Sequence, residues 1–581
     1  MAETRIAGRS LVEGRGEGRL LLAHTGLSFW GGVDPRNGDI IDHHHPLYGQ
    51  NLAGRVLAIP GGRGSCSGSG VLLELILNGH APAALVFSSV EEILTLGVLV
   101  ADEMFQCSLP VLRIEEDDFA RLRGDSFACV NNTALTLFEQ PPDDHEQVVS
   151  SDSLNSKEAV ESIDLEEIDR ELLNGKHGKA AQTAMQIVLR MAVLQGAKKL
   201  LPVSRAHIDG CIYTGPASLR FARRLADWGA RVSVPTTLNA ISVDKRHWRE
   251  QGVDPAFGDP ASRLADAYLD MGAQLSFTCA PYLLDSAPVL GEQIGWAESN
   301  AVIYANSVIG ARTQKYPDYL DICIALTGRA PATGSHQEQG RIASLVIEMP
   351  ALTEPDDSFW PLAGYHLGLL AGPEIPLIYG LEKTSPSLDD LKAFSAAFAT
   401  TSSSPMFHIA GVTPESGKES NKTINHRKKV SLPDLLQSWR ALNTAEDSRV
   451  DMVSLGNPHF SQTECARLAE LCAGRTKHAE VDVVVTLGRA VYEQAANEGS
   501  IKALENFGVR FITDTCWCML QEPVIQPAVR TLMTNSGKYA HYAPGLVGRR
   551  VHFGSLADCV DAACCARRTD RPPAWLTATG H

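Results

Sequence analysis

Between two apolar runs, Arg55–Pro60 and Val71–Asn78, lies Gly61-Gly62-Arg63-Gly64-Ser65-Cys66-Ser67-Gly68-Ser69-Gly70. The first run reads as a strand and the second as a helix. A strand, a glycine-rich turn and a helix make an anion site. Glycines let the backbone come close to a ligand, and the helix N-terminus offers unpaired N–H groups with a partial positive charge. Arg63 adds a guanidinium, and Ser65, Ser67 and Ser69 add hydroxyls. The run lacks the terminal Gly-Lys-Ser/Thr of a phosphate-binding loop and only approaches a Gly-x-Ser-x-Gly elbow. Arg63 beside Ser65 fits a carboxylate site with an activatable hydroxyl. The plainer alternative is a tight turn in which Ser65 caps the helix that follows.

Three of the thirteen cysteines form a second candidate centre. Cys279 follows the expected strand Gln274–Thr278, Cys516 follows the expected strand Val509–Thr513, and Cys559 opens the last helical segment. Ligands of open α/β sheets bind at the carboxyl ends of strands. Three thiolates on an iron–sulfur cluster leave one position short of the usual four cysteines, where a substrate oxygen can sit. No CxxC pair supports this from spacing. Cys465 and Cys472, at helical spacing, and the adjacent Cys564 and Cys565 read as small hydrophobes. The consecutive His43, His44 and His45 cannot all point one way, and no acidic or cysteine partner stands at ligand spacing. They read as a loop abutting the site.

The elements that would position these residues alternate between strand and helix, which gives an α/β protein. Residues 1–138 read as one small domain. Its strands are Leu20–Ala23, Arg55–Pro60, Ala84–Phe87 and Pro110–Leu112, and its helices are Val71–Asn78 and Glu91–Met104. Residues 139–163 are acidic, serine-rich and poor in apolar positions, a linker composition. Residues 164–581 form a body of several α/β subdomains. It begins with one helical region, Leu165–Leu201. Strands follow at Ala206–Tyr213, Arg231–Val234, Ile342–Glu348, Pro376–Tyr379, Phe407–Ala410, Met452–Leu455 and Val481–Val485. Residues 417–430 read as a polar surface loop or a second joint.

The balance of 52 basic against 68 acidic residues gives a net charge of −16. That argues against nucleic acid or an anionic membrane as the main partner. No apolar run approaches the roughly 18 residues of a membrane span, and the first ten residues have no apolar core of a secretory signal. An odd number of scattered cysteines suits a reducing cytoplasm.

Several segments carry a family resemblance. Phe29–Pro35, Gly62–Glu74 and Ala81–Ala84 resemble the small swivel subunit of the aconitase X family. His207–Gly210, Thr236–Asn239, Thr278–Tyr282, Glu298–Asn300, Asn306–Thr313 and Asn535–Tyr542 resemble its large subunit. The two parts are fused here, as in the bacterial type whose members dehydrate cis-3-hydroxy-L-proline to Δ1-pyrroline-2-carboxylate. Archaeal relatives act on mevalonate 5-phosphate, generally as separate subunits. The resemblance implies an aconitase-like fold: a multi-subdomain α/β body with an N-terminal swivelling β/α domain that closes over a cleft. It implies a hydro-lyase with an iron–sulfur cluster, [2Fe-2S] or [4Fe-4S], held by Cys279, Cys516 and Cys559, with Cys518 a substitute for Cys516. Archaeal-type sequences often have Gly-Cys-Pro-His where this chain has Gly456-Asn457-Pro458-His459, which removes a possible ligand.

Ser65 would then take the α-proton, with Arg63 and loop N–H groups stabilising its alkoxide or Arg63 clamping the substrate carboxylate. His207 is a candidate general acid for the leaving hydroxyl. Asn239, Glu298, Asn300, Arg312 and Lys538 are candidates for the substrate pocket, with His541 as a weaker one. An iron-sensing, nucleic-acid-binding protein would need a basic face that this chain lacks.

Overall fold

The computed structural model describes residues 3–42, 45–63, 65–124, 126–141, 162–352, 354–417, 424–568 and 571–577. His43, His44 and most of the expected linker lie outside them. The chain divides into two units. The first is Met1–Thr236 with Asp266–Ala273 and Tyr316–Thr333; the second is Thr237–Ala265 with Gln274–Lys315 and Gly334–His581.

The first unit opens with a closed seven-stranded barrel. Its strands are β1 (Glu3–Val12), β2 (Arg15–Leu22), β3 (Val56–Ala58), β4 (Ala84–Phe87), β5 (Val111–Ile114), β6 (Phe127–Asn131) and β7 (Ala134–Phe138). They lie in the order β1-β5-β4-β3-β2-β6-β7. β2 to β5 run parallel, while β1, β6 and β7 join antiparallel. β3 and β4 are buried at every position. They therefore read as unbroken apolar runs, as parallel strands covered on both faces do. β1, β6 and β7 escape the sequence reading because polar residues interrupt their alternation. Yet they close the barrel and so remove its open edges.

The helices α1 (Gly68–Asn78) and α2 (Ile93–Phe105) follow β3 and β4 and pack on each other. Their crossing is close: a Cβ at Gly97 would fall 2.7 Å from the Ser69 carbonyl oxygen. α1 therefore starts directly after the serine loop and is held rigidly from behind.

Beyond the barrel, the expected helix over Leu165–Leu201 is two helices, Glu167–Leu173 and Lys179–Leu194. Gly175 and Gly178 between them take φ of 74° and 89°, left-handed values that end a helix. Arg329 forks onto Asp169 of the first helix at 2.7 and 3.1 Å. Both side chains are at most 5% exposed, and Glu166 adds an exposed contact at 3.2 Å. Asp169→Ala would leave the Arg329 guanidinium buried beside one solvated carboxylate. It should destabilise this unit by about 3 kcal/mol, the lower end for a broken buried pair. The denaturation midpoint reads this, and an unchanged midpoint would show the pair to be neutral for stability.

The second unit contains two parallel sheets. Strands His408–Ile409, Pro376–Tyr379, Leu345–Glu348 and His426–Lys429 form one of them, in that order. Val509–Ile512, Asp482–Thr486, Met452–Leu455, Thr531–Thr534 and Arg550–Phe553 form the other. His426–Lys429 corrects the expected loop over 417–430. Its four polar residues hide a strand, and a sheet edge tolerates them. Two further corrections concern short segments. Arg231–Val234 is not a strand; Thr236–Leu238, just beyond it, is. Gln274–Thr278 makes only an isolated bridge at Gln274. Among the described residues no helix is long and apolar enough to cross a membrane.

Candidate active site

In the five-stranded sheet the strand order reverses between Met452–Leu455 and Thr531–Thr534. Such a reversal leaves a crevice past the carboxyl ends of the two strands. Gly456-Asn457-Pro458-His459 leaves one strand there, and Asn535-Ser536-Gly537-Lys538 leaves the other. Gly456 has φ 95°, and a Cβ on it would lie 2.1 Å from the Thr486 carbonyl oxygen. The chain can turn this sharply only at glycine. A cavity opens at this point, lined by Lys392, Asn457, Pro458, Glu464, Asn535 and Ser536.

Next to it is a row of buried thiols. Cys516 interacts electrostatically with both Cys279 and Cys518. All three are less than 10% exposed. The outer two also receive N–H donors: Asn457 Nδ2 at 3.2 Å from Cys518 Sγ, and the His459 backbone N at 3.3 Å from Cys279 Sγ. Among the described residues no group of three His, Cys, Asp or Glu side chains is placed to hold a metal ion; the three thiols form a row. Cys279 and burial push the Cys516 thiol above the ordinary cysteine value, and Cys516 and burial do the same to Cys518.

The cation at hand is Lys538, whose Nζ lies 3.0 Å from Glu298 Oε1. Burial opposes its charge, but Glu298 and the three cysteines outweigh that and hold it well above an ordinary lysine. Glu298 also caps the helix Ser299–Tyr304 by accepting the Ala301 N–H at 2.7 Å. Asn300 donates to the Cys279 carbonyl at 2.7 Å and accepts Tyr282 OH at 2.6 Å. Asn300, itself held by Tyr282, thus anchors the Cys279 backbone carbonyl.

His459 is the strut between the three segments. One ring nitrogen faces the Thr515 carbonyl at 2.8 Å and the other faces Thr278 Oγ1 at 3.1 Å. A carbonyl can only accept, so Nε2 carries the proton and Nδ1 accepts from the threonine. Burial lowers its pKa to about 4, so the ring is neutral and structural.

Of the residues singled out from sequence, Cys279, Cys516, Glu298, Asn300 and Lys538 meet here. Cys559 does not join them. It sits inside the helix Leu556–Cys565, started by a Ser555–Asp558 capping box, and packs in a separate core with Leu556, Val560 and Cys465. Its electrostatic neighbours are Asp558, Asp357 and Arg568. Cys518 takes the third place in the row. Arg312 is engaged elsewhere, against Glu338 and 3.9 Å from Glu415. Asn239 turns its Oδ1 back onto the Ala240 N–H at 2.7 Å. His541 contacts Tyr365 OH at 3.3 Å. His207 belongs to the first unit, in the strand Ala206–Ile208, where complete burial lowers its pKa to about 3. A ring held neutral in this way has no imidazolium proton to give at neutral pH. His459 and Cys518 are the members sequence reasoning underrated. The signals were the Gly-Asn-Pro-His turn and the second cysteine of Cys-Trp-Cys.

The serine loop lies in the first unit. Ser65 is half-buried; its Oγ accepts the Ser67 N–H at 3.3 Å and donates to Ser67 Oγ at 3.2 Å. The helix N-cap is Ser67, without a side-chain cap bond. Ser65 is therefore not the N-cap residue. Arg63 reaches Asp42 at 2.9 Å and remains 45% exposed. Under the loop, Glu91 caps α2 by accepting the Leu94 and Thr95 N–H groups at 2.9 and 3.1 Å. Burial raises its pKa to about 7. A Cβ at Gly62 would come within 2.7 Å of Glu91 Oε1, so the loop can rest on this carboxyl only through glycine. His45 is buried, with one ring nitrogen 3.1 Å from the Thr25 carbonyl and the other accepting the Leu47 N–H.

The site residues thus fall into two groups: three thiols beside the strand-order crevice of a parallel sheet, and a serine loop carried by the N-terminal barrel. Four family models match in order: the aconitase X swivel domain at 5–137, first domain at 162–339, second domain at 343–436 and third domain at 450–565. The chain belongs to the aconitase X family, in a fused single-chain form. It is 54% identical to a cis-3-hydroxy-L-proline dehydratase of Hypocrea jecorina, over 98% of this chain and 97% of that one. It is 55% identical to a cis-3-hydroxy-L-proline dehydratase of Pseudomonas aeruginosa, over 98% of each. Among solved structures, the holo-form of Thermococcus kodakaraensis aconitase X matches with a TM-score of 0.63 and 29% identity, over 69% of this chain and all of that one.

Proposed function

We propose that this chain removes water from cis-3-hydroxy-L-proline to give Δ1-pyrroline-2-carboxylate. The observation that supports it most is the pairing, in one chain, of the serine loop with the buried row Cys279–Cys516–Cys518. That chain matches two cis-3-hydroxy-L-proline dehydratases nearly end to end.

The reaction needs an acceptor for the α-proton, an exit for hydroxide from the neighbouring carbon, and a hold on the carboxylate. The thiol row fits an iron–sulfur cluster by its chemistry: three soft sulfur ligands, N–H donors on the outer two, and a lysine to balance their charge. Cys279, Cys516 and Cys518 are the holders we assign. When bound, the cluster supplies a Lewis acid for the carboxylate and the departing hydroxyl. The protein does the rest. Lys538 keeps its proton and offsets thiolate charge, and Glu298 and Asn300 fix Lys538 and the Cys279 backbone. Ser65 takes the α-proton. Its loop rests on Glu91, and Arg63 lies close enough in sequence to stabilise negative charge on the serine oxygen. The thirteen free thiols suit a reducing compartment, and we place the reaction in the cytoplasm.

The test is turnover of cis-3-hydroxy-L-proline by protein purified without oxygen, followed by mass spectrometry. A product lighter by one water is expected. Turnover of mevalonate 5-phosphate but not of the hydroxyproline would replace this reading.

A further inference from the structure

The two segments that deliver Cys279 and Cys516 share a backbone feature. Phe277 and Asp514 each stand two residues before the cysteine, and each takes a positive φ, 37° and 69°. A non-glycine residue enters this region at a cost, which is higher for a bulky aromatic than for an aspartate. Such residues persist where their surroundings over-determine them, and they cluster at functional sites. Both are completely buried, and both belong to the second unit.

One side chain engages both of them. Arg489 opens the helix Arg489–Asn497. Its Nε and Nη2 fork onto Asp514 Oδ1 and Oδ2 at 2.5 and 2.6 Å. Its guanidinium carbon lies 5.6 Å from the centre of the Phe277 ring, within reach of a cation–π contact. The preceding Gly488 brings the start of this helix against the Cys279 segment: a Cβ there would sit 3.3 Å from Thr278 Cβ and Oγ1. The turn before Cys516 is also tied in through its backbone. The Asp514 carbonyl accepts the Ile241 N–H at 2.7 Å, and Asp514 Oδ2 accepts the Lys245 N–H at 3.1 Å. Thr513 donates its N–H to Asp244 at 3.3 Å, and its hydroxyl accepts from Arg246 Nη2 at 3.0 Å. Past Asp514, the Thr515 carbonyl accepts from His459 Nε2 at 2.8 Å, and Trp517 Nε1 donates to the Leu455 carbonyl at 2.7 Å. Arg489 joins this well-held turn to the one before Cys279.

We propose that Arg489 is a clamp that sets Cys279 and Cys516 at ligand spacing, by holding their two positive-φ turns through Phe277 and Asp514. This rests on the reading of those cysteines as holders of the cluster. Release of either φ to the ordinary negative range would redirect the chain that carries the cysteine. The clamp works by shape rather than by charge alone. A guanidinium forked onto a carboxylate fixes the plane of both groups, which an ammonium cannot do. Arg489 and Asp514 act through the cysteines and are positioning residues.

Iron retention by the full-length protein, purified without oxygen, tests this. Arg489→Lys keeps the charge and loses the fork. In competition with an iron(II) chelator it should hold iron about 10–100-fold more weakly than wild type, the usual cost of losing a partner behind a metal ligand. Asp514→Asn should do the same, since asparagine tolerates positive φ as aspartate does and only the fork is broken. It decides the matter if Arg489→Lys fails to fold. Arg341→Lys is the control for general loosening. It disturbs another buried arginine–carboxylate pair of this unit, Arg341 on Glu415, and should lower the denaturation midpoint while keeping iron. Wild-type retention in folded Arg489→Lys, or equal iron loss in Arg341→Lys at a matching midpoint, would overturn the clamp. Cadmium titration of iron-free protein, followed by thiolate-to-metal absorption, reads the same spacing without a cluster. The two clamp variants should bind cadmium more weakly by the same factor, and equal binding by wild type and variants would overturn the clamp. Wild type that binds cadmium more tightly than the variants yet carries no iron would count against the cluster reading alone.

Discussion

Ser65→Ala should cut kcat by roughly 10²–10⁴-fold, the range for a lost general base. The substitution removes one oxygen and leaves the glycine backbone, the Arg63–Asp42 pair and the thiol row as they are. The lost group acts in the transition state, so KM should change little. A mere capping role predicts something else: about 1 kcal/mol of stability and a near-normal rate. The structure already weakens that alternative, because the N-cap is Ser67. Arg63→Ala should differ by also raising KM if the guanidinium leaves Asp42 for the substrate carboxylate.

Cys516→Ser should abolish iron binding and, with it, activity. Cys516 is the middle thiol of the row, so its loss separates Cys279 from Cys518 and replaces a soft ligand with a hard hydroxyl. Cys279→Ser and Cys518→Ser should lose iron as well. Cys559→Ser and Cys465→Ser should keep iron and rate, because both sulfurs pack in the other core. Iron and sulfide analysis of folded, anaerobically prepared variants reads this directly. Full iron in Cys516→Ser would show that Cys516 holds no iron, and iron lost in Cys559→Ser but kept in Cys518→Ser would restore the set that the resemblance implied.

Cys559 lies outside the row of thiols and Cys518 within it, a placement that no local sequence signal gives. The serine loop was legible because its signal is local: glycines, a guanidinium and hydroxyls within ten residues, between two apolar runs. β3 and β4 were legible because burial on both faces leaves no polar residue in them. β1, β6 and β7 were less so: β6 and β7 form a short hairpin, but the β1–β7 and β2–β6 pairings that close the barrel join distant parts of the chain. The thiol row is non-local too. Cys559 and Cys518 both follow sheet strands, and only the capping box of Leu556–Cys565 turns Cys559 into the other core. Arg312 is a substrate-pocket candidate by its motif, and in the structure it pairs with Glu338 and lies 3.9 Å from Glu415.

The reaction turns on Ser65 receiving the α-proton. Wild type and Ser65→Ala, matched for iron content, are incubated with cis-3-hydroxy-L-proline in heavy water, and deuterium at the α-carbon of recovered substrate is followed by proton NMR. Exchange in Ser65→Ala should collapse together with elimination, by the same factor or more. Exchange at the wild-type rate in Ser65→Ala would show that another group takes the proton, and would contradict this role for Ser65.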